Sequence, residues 1–427
     1  MTVTGSVKES IVKEGVPGVS ARVRPGIEVL LAERREIVLG RRVGLITNHT
    51  GVDSVLRSTI DLLHGTSGVK LAALFGPEHG VRGDAQAGVN VSSEVDPRTG
   101  LPVRSLYGPT KKPTPEMLAD IDVLVYDIQD IGVRYYTYIY TLAYCLEAAA
   151  EAGLKFVVLD RPAPLGGLMV EGNIHDDPGL ASFVGGYGLA VRYGLTAGEL
   201  ATYYSQRLRA RTGPEVDLVV VPAAGWRRSW WFDETGLPWV PPSPNTPALE
   251  TAALYPGTCL IEGTNLSEGR GTTLPFQVVG APWVDGWRMA DTLNGLGLEG
   301  VLFRPTSFVP AFSKHQGERC GGVQVHLTDR RRARPLAIGL AVLVAARRLY
   351  ASDFRWLEPA RGRHFIDLLT GTRRVREGID AGADAQDLLE SWEPERARFA
   401  ALARRFWLYP ESGGSQEPAG DGGKTIG

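Results

Sequence analysis

Cysteine is scarce in this chain. Cys145, Cys259 and Cys320 are the only three in 427 residues, with no CxxC spacing, so neither a disulfide framework nor a zinc site is expected. A basic excess is also missing. The formal net charge is −2, whereas nucleic-acid binders usually carry a clear surplus of Lys and Arg. No stretch reaches the roughly 18 uninterrupted apolar residues of a membrane span. The opening MTVTGSVKESIVKEG has no basic segment followed by an apolar one. A soluble cytoplasmic protein, bound neither to nucleic acid nor to membrane, is the expectation. Nucleotide cradles are absent too, since no GxGxxG follows the first apolar run and GxxxxGK[ST] occurs nowhere, and neither a GxSxG nucleophile elbow nor a metal-binding HExxH is present.

The composition, 43% hydrophobic and 22% charged, is that of a globular protein with length for more than one core. Five short apolar runs stand out: RRVGLITN (41–48), VKLAALFG (69–76), DVLVYDIQD (122–130), LKFVVLDRP (154–162) and VDLVVVPAAG (216–225). Nearly continuous runs of this length suit strands buried on both faces of a parallel sheet. Helical patterns lie between them. Thr114-Pro115-Glu116 is a helix start, Ile139, Leu142, Ala143 and Leu146 share a helix face that stops at Gly153, and Thr196 to Glu199 has capping-box spacing. This alternation predicts an α/β fold, a Rossmann-like open parallel sheet, over 27–245.

The Trp- and Pro-rich stretch 225–247 has no period and reads as a connection. Beyond it, a strand-like GGVQVHLTD, an apolar helix at 336–350 and two amphipathic patterns, AQDLLESW and RARFAALARRFW, predict a smaller α+β domain over 246–410. The Gly/Ser/Pro-rich end, 411–427, reads as a disordered tail. The basic cluster at Asp329-Arg330-Arg331-Arg332 reads as a solvated helix start.

Ligands of open parallel sheets bind beyond the carboxyl ends of the strands. Polar clusters occupy that end of four runs: Asn48 to Thr50, Glu78-His79 with Arg82, Asp127 to Asp130 with Arg134 and Tyr136, and Asp160-Arg161. Bland roles compete at each. Asn48 and Thr50 suit a turn, Asp127 and Asp130 suit helix caps, and Asp160-Arg161 suits a structural ion pair. Glu78 is the exception, because Gly and Pro on both sides stiffen its turn beyond what a casual surface turn requires. Trp226, Trp230, Trp231 and Trp239 are either sugar platforms or packing between domains. In the second domain, EGTNLSEGRGTT (262–273) concentrates Asn265, Glu268, Arg270 and several hydroxyls around glycines, as a substrate-gripping loop would. Carboxylates surrounded by tyrosines, arginines and amides are the equipment of glycosidic bond cleavage.

Taken together, GPEHGVRG (76–83), DIQDIGVRYYTY (127–138), VVLDRPAPLGG (157–167), VEGN (170–173) and EGTNLSEGRGTTLPF (262–276) resemble the exo-β-N-acetylmuramidases of the NamZ type, in the family's order and from about 27 to about 410. The resemblance implies a cleft between a Rossmann-like domain and a smaller one. It also implies removal of terminal N-acetylmuramic acid from the non-reducing end of peptidoglycan fragments, and a catalytic glutamate at Glu78. The remaining roles are assigned by chemistry. Asn48, His79, Arg82, Asp127, Asp130, Arg134, Tyr136, Asn265, Glu268 and Arg270 are expected to contact substrate. Asp127, Asp130 or Glu268 would keep Glu78 protonated, and Arg134 or Arg270 would receive the lactyl carboxylate. No cofactor or metal is required. A retaining, inverting or substrate-assisted course stays open, as do a non-catalytic muropeptide-binding module and a hydrolase of another class.

Overall fold

The computed structural model describes residues 23–83, 94–175, 177–213 and 215–412. In chain order, the first unit holds β1 (Arg42–Thr47), β2 (Lys70–Gly76), β3 (Glu94–Val95), β4 (Pro102–Ser105), β5 (Val123–Asp127), β6 (Lys155–Leu159), β7 (Glu171–Ile174), β8 (Ala190–Arg192) and β9 (Asp217–Val221). Seven of these form one sheet in the order β3-β4-β2-β1-β5-β6-β9, while β7 and β8 pair separately. Every neighbouring pair in the large sheet is parallel except β3 and β4. All five apolar runs are therefore strands of one sheet. The short β3 and β4 carry no comparable signal.

Two-sided burial explains why those runs look continuous. Val123 and Val125 of β5 join one apolar cluster with Ile27, Leu30, Ile60 and Leu63. Leu124 and Tyr126 join another, with Ile139, Leu142 and Ala143. Successive side chains point to opposite faces, and helices cover both faces, so every position is apolar. Each such side chain contributes about 1.5–3 kcal/mol when buried. The helix signals hold as well. Helix Tyr138–Ala152 stops at Gly153, whose φ of 63° is left-handed, and helix Ala197–Thr212 carries the Thr196–Glu199 capping box.

The second unit contains β10 (Val278–Ala281), β11 (Val301–Phe308) and β12 (Cys320–Leu327), an antiparallel sheet in the order β10-β12-β11. Helix Pro335–Leu349 is almost wholly buried beside it. The two amphipathic patterns are in fact one helix, Ala385–Ala403, which continues through Pro394. Its buried residues, Leu388, Trp392, Phe399 and Ala403, follow a single stripe along its length. The basic cluster is also more engaged than expected, since Arg330 and Arg331 donate to Asp233 and Glu234 at 2.7 and 2.9 Å.

The units are not separate bodies of apolar packing. One cluster runs from Phe75 and Tyr126 through Leu254 and Phe276 to Leu343. The end of the chain also returns to the first unit. The Tyr409 hydroxyl donates to Asp160 at 2.6 Å, and the Leu408 N–H donates to Glu199 at 2.7 Å. The tail expected from 411 lies outside the described residues from 413 onward. Among the described residues, no helix is long and apolar enough to cross a membrane.

Candidate active site

Chain order reverses at β1, which pairs with β2 on one side and β5 on the other. Open α/β sheets bind ligands beyond the strand ends at such a reversal. Here β2 ends at Gly76, and the Gly80 N–H closes a turn on the Pro77 carbonyl at 3.0 Å. His79 within that turn has φ 72°, a left-handed conformation that costs a non-glycine residue about 1–3 kcal/mol. Burial and an edge-on contact with the Tyr138 ring at 6.5 Å hold it there. The turn aims Glu78 at the start of helix Tyr138–Ala152. Thr137 occupies the N-cap of that helix, yet its hydroxyl makes no capping bond and donates instead to Glu78 Oε2 at 2.6 Å.

Tyr107 lies beside Glu78, and burial together with that carboxylate pushes the Tyr107 hydroxyl pKa up. Around Glu78 and Thr137 is a cavity of about 50 Å³. One wall is Tyr135 to Tyr138, another is Ser243, Asn245 and Thr246, and the second unit closes it with Tyr255, Arg270 and Phe276. The aromatic walls interlock edge-on, Tyr136 with Tyr138 at 5.2 Å, Tyr136 with Tyr255 at 5.6 Å and Tyr255 with Phe276 at 4.8 Å. Arg270 lies over Phe276 at 5.2 Å and donates to Glu262 at 2.8 Å. Among the described residues lining this cavity, Glu78 is the only carboxylate.

Of the eleven residues singled out from sequence, four line the cavity: Glu78, His79, Tyr136 and Arg270. Asn48 stands behind, its oxygen taking the Thr50 N–H at 2.9 Å and its side chain meeting the Tyr138 hydroxyl. The other six are committed elsewhere. Arg82 pairs with Asp96 at 2.9 Å. Burial opposes that carboxylate's charge, but hydrogen bonds from Arg82 and Thr99 hold its pKa at about 2. Asp127 is fully buried against Arg161, at 2.5 and 3.0 Å, and takes the Thr59 hydroxyl. The expected Asp160-Arg161 pair is thus an Asp127–Arg161 pair, and Asp160 instead caps Thr196 and Gly198. Arg134 is completely buried and donates to the carbonyls of Asn173, Leu189, Leu369 and Thr370. Asn265 bridges to the backbone of Asp353 and Arg355 at 2.9 Å each. Glu268 is buried against Lys314 at 3.0 Å, so only Arg270 of the glycine-rich loop lines this cavity. None of the four tryptophans lines it either. Trp226 packs edge-on against Tyr409, and Trp239 against Phe232.

Asp130 is buried behind Tyr193, which donates to it along with the Gly132 N–H. Burial pushes its carboxyl up to about 6 from an ordinary 3.8. A carboxyl that binds its proton more tightly when folded contributes stability below its unfolded pKa, and loses that contribution as pH rises through the folded value. Asp130→Asn should therefore flatten the loss of stability between roughly pH 4 and pH 6, about 2 kcal/mol relative to wild type. Urea midpoints at both pH values measure this, and parallel pH profiles for the two proteins would contradict it.

Several lining residues carried no signal. Thr137 sits inside a tyrosine-rich motif, and Ser243, Asn245 and Thr246 belong to the stretch read as a connection; Tyr107 and Lys111, which flank the site without lining the cavity, lie in the aperiodic YGPTKKP. The alternation of small polar residues with proline in PPSPNTP was the one available clue. A larger cavity, about 710 Å³, is lined by Glu171, Arg334, Trp392 and Arg396 among others and holds none of the eleven. Among the described residues, no group of three or more His, Cys, Asp or Glu could hold a metal ion.

Known proteins match this architecture along nearly the whole chain. Residues 43–250 match the family model for the exo-beta-N-acetylmuramidase NamZ N-terminal region, and residues 253–409 match that for its C-terminal region. The peptidoglycan beta-N-acetylmuramidase NamZ of Bacillus subtilis (strain 168) is 47% identical over 388 residues, covering 91% of this chain and 92% of that protein. A crystal structure of a DUF1343 family protein from Bacteroides fragilis superposes with a TM-score of 0.84 at 43% identity, covering 91% of this chain and all (100%) of that one. A second from the same organism gives 0.75 at 31% identity, covering 91% and 99%.

Proposed function

The chain belongs to the NamZ family of exo-β-N-acetylmuramidases, and from that membership we propose that Glu78 is the proton donor of an exo-acting glycoside hydrolase. The substrate is the terminal N-acetylmuramic acid at the non-reducing end of peptidoglycan fragments. The observation that carries the assignment is the position of Glu78. It is the one carboxylate among the described lining residues, and Thr137 holds it at 2.6 Å. Glu78 gives its proton to the glycosidic oxygen as the bond from C1 to that oxygen breaks. Among the described lining residues there is no second carboxylate, and in this reading the acetamido oxygen of the sugar itself attacks C1 and forms a cyclic intermediate. Ser243, Asn245 and Thr246 supply oxygens to orient that amide. Water then attacks C1, returns a proton to Glu78, and leaves the anomeric configuration retained.

Two measurements test this reading. A chromogenic N-acetylmuramic acid glycoside should be hydrolysed, with the β-anomer as first product by NMR. An α-anomer would sink the acetamido route, and no turnover with measurable binding would favour a non-catalytic module. Thr137→Ala should lower kcat roughly 10-fold with little change in KM, because a hydrogen bond to a charged or reacting group is lost. Thr137→Ser should restore most of the rate. If Ser fails to rescue, the hydroxyl is not what holds Glu78.

A further inference from the structure

We propose that Lys111 selects for muramic acid, its ammonium receiving the carboxylate of the substrate's lactyl ether. The inference rests on the assignment of Glu78 above and names the group that would recognise the sugar.

Lys111 Nζ lies 4.0 Å from the centre of the Phe183 ring and 5.3 Å from that of Tyr107. Tyr107 in turn lies beside Glu78, whose charge acts on its hydroxyl. The ammonium is therefore parked on aromatic faces, one side chain away from the reacting acid. Cation–π contacts hold such a charge without neutralising it. Among the described residues, no carboxylate lies within ion-pair distance of Lys111. Its neighbour Lys112 is the contrast, pairing with Glu151 at 2.7 Å and Glu147 at 3.6 Å. Partial burial lowers the Lys111 pKa and the charge of Glu78 works to raise it, so Glu78 is near enough to be felt.

The other candidate cations are already committed. Arg134 is spent on backbone carbonyls, and Arg270 is paired with Glu262 at 2.8 Å and faces Glu268 at 3.8 Å. The reaction itself sharpens the point. To act as an acid, Glu78 must be protonated and neutral, and Lys111 then has no negative charge beside it. N-acetylmuramic acid differs from N-acetylglucosamine by a lactyl ether that ends in a carboxylate. That group would supply the missing counter-charge, and a compact ammonium with three donors suits it.

The test uses the full chain with a chromogenic N-acetylmuramic acid glycoside and its lactyl methyl ester. Wild type should favour the acid over the ester in kcat/KM by roughly 10- to 100-fold. Lys111→Met should lose that preference, chiefly through a raised KM on the acid, with the ester little affected. Lys111→Arg should keep most of it. Equal slowing of acid and ester in Lys111→Met would overturn the proposal and leave the residue a support for Tyr107. An unchanged acid-to-ester ratio would overturn it as well. Failure of the Glu78 assignment has a different signature, which is full turnover in Glu78→Gln. Equilibrium binding of N-acetylmuramic acid against its methyl ester reads the same contrast without turnover.

Discussion

Glu78→Gln should reduce turnover of an N-acetylmuramic acid glycoside by 10²- to 10⁴-fold, the range attributed to a positioned general acid. The amide keeps the volume and an acceptor for the Thr137 hydroxyl, so the turn after β2 stays in place. Thermal unfolding should therefore shift little, and substrate binding should persist. The variant separates chemistry from architecture because Glu78 is buried at 8% exposure yet lies on the cavity wall. Kinetics on purified wild type and variant, with melting curves beside them, provide the check. Wild-type turnover in Glu78→Gln would remove Glu78 as the proton donor. Should the variant lose its fold, the same comparison in Thr137→Ala applies, where the carboxyl survives without the Thr137 hydroxyl.

Arg134→Met should cost stability rather than affinity, on the order of 3–5 kcal/mol. The guanidinium donates to the Asn173 and Thr370 carbonyls at 2.7 Å, to Leu189 at 2.8 Å and to Leu369 at 3.1 Å. Each buried carbonyl left without a donor costs about 1–3 kcal/mol, and the losses are not additive. These contacts tie the segment after β5 to the β7–β8 pair and to the end of helix Phe365–Thr370, 235 and 236 residues away in sequence. Urea unfolding should show the loss, while the KM of the folded fraction stays near wild type. A raised KM with an unchanged midpoint would return Arg134 to the substrate.

Glu78 and Arg134 differ in how far along the chain their surroundings come from. Both sit in polar motifs at strand ends, and both were singled out. Glu78 was identifiable because its stiffness is local, written in the Gly-Pro before it and the Gly after it. Nothing local distinguishes Arg134 from an arginine facing a ligand. Its partners arrive from β7, β8 and the helix at 365–370. Asp127 behaves likewise, since Arg161 and Thr59 reach it from 34 and 68 residues away. Conversely, Ser243, Asn245, Thr246 and Lys111 lie in aperiodic stretches that offer no reason to look there.

The sequence by itself determined the five central strands, the helix boundaries at Thr114, Gly153 and Thr196, and the turn that presents Glu78. Those features depend on side-chain period, capping and backbone restriction, which act over a few residues. Only the tertiary structure decided which polar groups face the cavity and which satisfy buried backbone. A buried donor must find an acceptor wherever the folded chain brings one. The identity of that acceptor is set by how distant elements cross, so Arg134 became scaffold while Arg270 came to line the cavity with Glu78.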